Sequence, residues 1–431
     1  MAESVRIERL AAGGDGVGHL PDGLTVFVPR TAPGDVVSVR DVRRRRRHAF
    51  ALVDSVLEPG PERVEPRCAH FVRDGCGGCQ WQHLEPGAQL RAKARIVGDA
   101  LRRIGKLAVP DPPLVPSPLA FGYRGTVTLA VHGHGGRRTV GLHRGGDARV
   151  FQLERCEIAR EPLNALWAAL SGWVGALPAG DDVRVVLRVT PDDALHVLVR
   201  GGERAWAGGP ALAAAASVAG LAPTVWWQPE GGAVRRMAGP EADPAAVTFE
   251  QVNAGVAAVL RSDLVDAVPH GATRVLDLYA GAGEVGLELA ARGAEVVTVE
   301  LDHRAVRWTE ARAAERGLQV RAVAGKVEDA IRGLVPADTV IVNPPRTGLE
   351  PAVTAVLRAA PPRRLLYVSC DPATLARDLA RLGATPDRLT LVRAYDMFPQ
   401  TSHAETLVAL DRDDCPTAVR RLGAGMVRRD S

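Results

Sequence analysis

The chain has 431 residues and a mass of 45.7 kDa; 46% of its residues are hydrophobic, 24% are charged and the net charge is +4. That length predicts two or three domains, and that composition excludes global disorder, collagen-like repeats and a coiled coil. Residues 1–10 are charged where a signal peptide is apolar, and the uncharged stretch 205–229 is Ala/Gly-rich and broken by Gly208-Gly209-Pro210, so a cytoplasmic protein without membrane contact is expected.

Residues 1–58 alternate short β-rich runs with Gly/Asp/Pro clusters about every 8–12 residues, the rhythm of a small, OB-like β-barrel. Within them, Arg43–Arg47 sets five like charges side by side, either as a solvated loop or as a contact to phosphates. Arginine supplies nearly all the positive charge, with Lys93, Lys106 and Lys326 the only lysines, so the arginine count alone argues for nothing. Residues 59–66 are Pro-rich and read as a linker. The region 59–247 is mixed, an α+β domain. Helical spacing runs over 90–107, a Pro-rich stretch over 110–118 excludes helix, VRVVLRV and LHVLVR look like strands, and an Ala-rich helix is expected within 205–220.

From residue 248 to 414 the pattern becomes strand, loop, helix, repeated. Candidate strands are 275–279, 296–300, 320–323, 339–343, 365–370 and 389–398, with helical patterns such as 284–292, 303–316 and 372–382 between them. Such alternation predicts a Rossmann-like α/β domain, a mainly parallel sheet covered on both faces. Residues 415–431 lack a period and read as a tail.

Asp277-Leu-Tyr-Ala-Gly281-Ala-Gly283 joins a strand to a helix, where glycines let the backbone turn tightly against a ligand. Glu300 ends the next strand, placed to accept ribose hydroxyls. The same glycines complete G-x-G-x-x-G at Gly286, with Glu300 about 20 residues on, so a nicotinamide cofactor is the alternative. Asp277, ahead of the glycines, favours S-adenosylmethionine. A purely structural glycine turn is the bland reading.

Asn343-Pro-Pro-Arg346 follows the fourth of these strands, at the sheet edge where ligands bind. A similar loop with an aromatic fourth residue would hold an exocyclic amine for N-methylation, but Arg346 cannot stack a base in that way. Cys370 ends a strand just before a helix, where a helix N-terminus can stabilise a thiolate; a buried small hydrophobe is the alternative. Glu405, at the start of the last strand, is a candidate base. Carbon 5 of uracil is a poor nucleophile until a thiolate adds to carbon 6, and the carbon 5 proton must then leave. Cysteine, base and sulfonium donor therefore form one chemical set, which a dehydrogenase does not need.

Phe249-Glu-Gln251-Val-Asn253, DLYAGAGEVGL, Glu300, NPPRTGL, SCDPATLARDL and FPQTSHAETL, in this order, resemble the 5-methyluridine RNA methyltransferases. The resemblance implies a TRAM barrel that binds RNA, Cys370 as nucleophile and Glu405 as base. It also implies Gln251, Tyr279, Glu300 and Asn343 as cofactor contacts, an rRNA or tRNA substrate, and a monomer. Cys68-x7-Cys76-Gly-Gly-Cys79, with Cys156 in LERCEI, resembles the loop of the iron–sulfur subgroup. Four thiolates suit 4Fe-4S or zinc by spacing alone; the subgroup implies iron in a structural role. Departures are Asn343 in place of the family's Asp, Glu284 and Lys326 where some members carry Asn, and Gly125 in a Tyr-Arg-Asn motif. Intact Cys370 and Glu405 imply an active enzyme. The rival readings are an amino methyltransferase and a catalytically silent RNA-binding scaffold.

Overall fold

A computed structural model of the chain describes residues 3–133, 138–180, 182–202, 205–248 and 251–412. Phe249, Glu250, Cys415 and the expected tail 415–431 lie outside the described residues. Among the described residues three sheets form, and no helix is long and apolar enough to cross a membrane.

The first sheet is a closed barrel of β1 (Glu3–Leu10), β2 (Gly16–His19), β3 (Thr25–Val28), β4 (Val36–Arg44) and β5 (Ala49–Glu58), in the order β1-β2-β3-β5-β4. Strand alternation turns Val5, Ile7, Val26, Val28, Val37, Val39, Ala49 and Ala51 inward, where all are buried. The five-arginine run is only partly a loop. Arg43 and Arg44 finish β4, and Arg44 pairs with Asp22 and Glu3. The 59–66 stretch is anchored to the barrel: Arg63 donates to both oxygens of the buried Asp35, which also accepts the Gly60 and Ala32 amides.

A two-residue strand, β6 (Leu114–Val115), precedes the second sheet. That sheet joins β7 (Thr126–His132), β8 (Thr139–His143), β9 (Val150–Gln152), β10 (Arg184–Val189), β11 (Leu195–Arg200), β12 (Thr224–Gln228) and β13 (Arg235–Ala238), in the order β13-β12-β11-β10-β7-β8-β9. Only β11 and β12 run parallel. Its core packs Leu166 and Trp167 of helix Glu161–Leu170 and Leu212 and Ala216 of helix Gly209–Val218 against Leu187, Val197 and Val199. This is the α+β region expected, and the Ala-rich helix falls within 205–220.

The third sheet contains β14 (Arg274–Leu278), β15 (Glu295–Glu300), β16 (Val320–Ala324), β17 (Thr339–Val342), β18 (Arg364–Ser369), β19 (Leu389–Tyr395) and β20 (Glu405–Asp411). The order is β16-β15-β14-β17-β18-β20-β19-β6. Strands β14 to β18 are mutually parallel, whereas β20 runs antiparallel to β18 and β19. Every residue of β17 and β18 is buried, as strands covered on both faces must be. The strand order reverses at β14, so the crevice at its carboxyl end is the place where such sheets bind ligands.

By contacts the chain divides into two compact units. One holds the barrel, the second sheet and the segment Asp396–Ala404; the other holds Val97–Leu114, Val259–Tyr395 and, among the described residues, 405–412. Within the first, the fully buried Lys93 bonds Asp396 and the Phe398 carbonyl, and the Tyr123 hydroxyl donates to the Pro399 carbonyl at 3.0 Å.

Candidate active site

Register brings the two expected reactive residues together. In the β18–β20 pair Ser369 faces Thr406, so the next position along each strand, Cys370 and Glu405, meet at the sheet's carboxyl edge. Glu405 is 2% exposed. Burial pushes its carboxyl up to about 8, against the pull of the Arg346 guanidinium.

Cys370 is half-buried. Its thiol is raised by burial and by the neighbouring Glu405, while the Arg346 guanidinium acts in the opposite direction. This corrects the expectation that a helix N-terminus stabilises the thiolate. The first turn of helix Pro372–Arg381 is capped by Asp371, whose carboxylate accepts the Ala373 and Thr374 amides, each at 2.9 Å. The positive group beside Cys370 is therefore Arg346. The sequence reading noted Arg346 only as a missing aromatic; its place in NPPR, one loop away from the cysteine, was the available signal.

The glycine loop leaves β14 through Tyr279, which holds a left-handed φ of 60° that is rare for an aromatic residue. Burial pushes the Tyr279 hydroxyl up to about 12, with Glu328, Glu350 and Asp378 adding to the shift. Gly283 caps helix Glu284–Ala291, and a Cβ there would lie 2.6 Å from Thr309 Oγ1. Asp277 accepts the Gly286 amide at 3.2 Å. Burial pushes its carboxyl up to about 7; the amide bond opposes this and Glu300 adds to it.

Glu300 accepts the Gly281 amide at 2.9 Å through one oxygen and the Asp302 amide at 2.8 Å through the other. Each oxygen keeps a second lone pair for a hydroxyl. A Cβ at Gly281 would meet nothing within 4 Å, so the loop beside Glu300 borders open space. Asn343 is exposed, with its amide on the Leu278 carbonyl at 3.2 Å. Tyr279, Glu300 and Asn343 thus share the carboxyl edge of β14, β15 and β17. Gln251 belongs to the other compact unit.

In the first unit, Cys68, Cys76, Cys79 and Cys156 line one cavity of about 160 Å³, and all four are free thiols. Polar side chains fix the backbone around them: Gln82 accepts the Cys68 amide at 3.0 Å, and Asn164 accepts the Cys156 amide at 2.9 Å. Burial pushes Cys76 up to about 11 and Cys79 up to about 12. Among the described residues, no three His, Cys, Asp or Glu side chains form a group that could hold a metal ion.

Three family models match the chain: TRAM domain over residues 3–51, Methyltransferase small domain over 250–363, and tRNA (Uracil-5-)-methyltransferase over 333–413. An uncharacterized RNA methyltransferase of Thermosynechococcus vestitus is 36% identical, over 94% of this chain and 97% of that protein. The 23S rRNA (uracil(1939)-C(5))-methyltransferase RlmD of Chromohalobacter salexigens is 34% identical, over 96% of this chain and 90% of its own. The crystal structure of Pyrococcus abyssi tRNA (uracil-54, C5)-methyltransferase, in complex with S-adenosyl-L-homocysteine, matches with a TM-score of 0.72 and 24% identity. The match covers 94% of this chain and 99% of that one.

Proposed function

The chain belongs to the RNA uracil-C5 methyltransferase family, and from that membership we propose that it methylates carbon 5 of a uridine in folded RNA, with Cys370 as nucleophile and Glu405 as base. The observation that carries this reading is that Cys370 and Glu405 come together just past the end of the β18–β20 pair, with the Arg346 guanidinium acting on both. S-adenosylmethionine, when bound, supplies an electrophilic methyl group. Its ribose hydroxyls are assigned to Glu300, and further contacts to Tyr279 and Asn343. The open space at Gly281 and the spare lone pairs of Glu300 fit such a ligand.

The Cys370 thiolate attacks carbon 6 of the uracil, and the carbon 5–carbon 6 double bond becomes an enolate that takes the methyl group at carbon 5. Glu405 then removes the carbon 5 proton, the double bond re-forms and the thiolate leaves. A carboxyl raised to about 8 by burial is a stronger base than an exposed one, so it suits a carbon-bound proton. Arg346 favours the ionised form of both residues. A uridine in a stack hides carbons 5 and 6, so the substrate is a base flipped out of rRNA or tRNA.

We assign RNA docking to the barrel of residues 1–58, the cysteine cavity to a central domain of 59–247, and the chemistry to 248–414. Supporting the first, Arg43, Arg45, Arg46 and Arg47 are exposed, next to the rings of Phe27, His48 and the 45%-exposed Phe50. The four cysteines are assigned to a structural 4Fe-4S cluster. What supports this is that all four line a single cavity, and four thiolates are the ligand set such a cluster takes. A cytoplasmic monomer completes the reading, since a reducing compartment keeps such thiols available.

The test is methyl transfer to uridine-containing rRNA and tRNA, read as 5-methyluridine by nucleoside mass spectrometry. Cys370→Ala is expected to abolish it. Full activity of that variant, or methylation of an amino group instead, overturns the reading.

A further inference from the structure

We infer that Asp378 is a positioning residue for the reaction: it fixes the loop that carries Arg346, so that the guanidinium stays beside Cys370 and Glu405. The inference rests on the proposed role of that pair. Asp378 is 0% exposed, and its two oxygens divide their partners. Oδ2 accepts the Leu349 amide at 2.7 Å and the Tyr367 hydroxyl at 2.9 Å. Oδ1 accepts Arg377 Nε at 2.9 Å and an Arg381 nitrogen at 3.3 Å. One carboxylate thus joins strand β18, helix Pro372–Arg381 and the loop after β17.

The loop is held on both sides of Gly348. Leu349 bonds Asp378 directly, and Arg377, already on Asp378, donates to the Thr347 carbonyl at 2.7 Å. The Gly348 amide closes a turn onto the Pro345 carbonyl at 2.8 Å, which leaves Arg346 as the first inner residue of that turn. Gly348 is needed for two reasons: its φ is +77°, and a Cβ would lie 2.4 Å from Asp378 Oδ2 and 2.5 Å from Arg377. Prolines 344 and 345 stiffen the entry, so once the exit is tied to Asp378 the Arg346 backbone has little freedom. Asp378 touches neither reactive residue; it acts through the loop.

The readout is alkylation of Cys370 by iodoacetamide across neutral to alkaline pH, resolved from the other cysteines by peptide mass spectrometry. Only the thiolate reacts, so the midpoint reports the charge that Arg346 places beside it. Arg346→Gln is expected to move the midpoint upward and slow alkylation at neutral pH by about three- to tenfold. Asp378→Asn and Gly348→Ala are expected to shift it in the same direction, and neither adds to the effect of Arg346→Gln in a double variant. Gly348→Ala keeps every charge and disturbs the loop at its contact with Asp378 and Arg377, so it decides the question if Asp378→Asn does not fold. An unmoved midpoint in a folded Asp378→Asn or Gly348→Ala, or additive effects in the double variants, overturns the inference. So does unfolding of both variants, which assigns Asp378 to the stability of the fold alone. Alkylation needs neither RNA nor cofactor. Failure here is therefore separable from failure of Cys370 to attack uridine, which 5-methyluridine formation reads.

Discussion

Cys370 and Glu405 face each other across the end of an antiparallel strand pair, in the register that sets Ser369 against Thr406. Two residues 35 positions apart in sequence (405 minus 370) are thereby held at one point on an otherwise parallel sheet. The arrangement depends on β20 reversing direction, since a parallel β20 would carry its first residue to the opposite edge.

Glu405→Gln is expected to separate the two halves of the reaction. Glutamine cannot take the carbon 5 proton, so methyl transfer proceeds but the thiolate cannot leave. A methylated protein–RNA adduct should persist on a denaturing gel with ordinary uridine RNA. Rapid turnover without adduct assigns the base to another group.

The pH dependence of stability follows from two raised carboxyls, Glu405 at about 8 and Asp277 at about 7. Both lie above their unfolded values, so the fold binds protons that the unfolded chain releases. Their contribution is fully present below about pH 4 and is lost as pH rises through about 7 to 8. Glu405→Gln and Asp277→Asn are therefore expected to melt a few degrees above the parent at pH 8, and near it at pH 4, in thermal scans. Activity has the opposite slope, rising through the same range as Glu405 ionises. A parent that melts at the same temperature relative to both variants at either pH contradicts this.

Glu300→Ala removes the acceptor proposed for the ribose hydroxyls, as well as the partner of two loop amides. Calorimetric titration with S-adenosylmethionine should show affinity falling by roughly tenfold to a hundredfold, the scale of lost hydrogen bonds to a charged group. Asn343→Asp, which restores the family's carboxylate, should leave binding intact. Unchanged affinity in Glu300→Ala removes Glu300 from the cofactor site.

Cys79→Ser should abolish iron incorporation, measured as iron per chain after anaerobic reconstitution, and lower the melting temperature of the unit that contains it. Iron in the variant equal to that in the parent contradicts the assignment of Cys68, Cys76, Cys79 and Cys156 as ligands.

Much of this was legible because periodic signals are strong when a strand is buried on both faces. TVIV and LLYVS are nearly all apolar and could only be central strands. The glycines of 281–286 and the cysteine at a strand end were legible as candidates from their place at a strand end ahead of a helix. What sequence could not display was partnership. Arg346 sits 24 positions from Cys370, and only the turn locked by Gly348 and Asp378 brings its charge there. The capping bonds of Asp371 occupy the Ala373 and Thr374 amides at the helix N-terminus that was expected to serve the thiol. Lys93 is completely buried and forms an ion pair with Asp396, more than three hundred positions away. The Arg346 and Lys93 contacts join residues distant in sequence, which local patterning does not encode, whereas the Asp371 cap is a local one.

The most direct test of the central claim is mass spectrometry of the protein incubated with S-adenosylmethionine and RNA containing 5-fluorouridine. Fluorine cannot leave as a proton, so attack by Cys370 followed by methyl transfer must stall as a covalent adduct. The expected result is a methylated 5-fluorouridine peptide mapping to Cys370, absent in Cys370→Ala. Methylation of ordinary RNA without any such adduct contradicts the account.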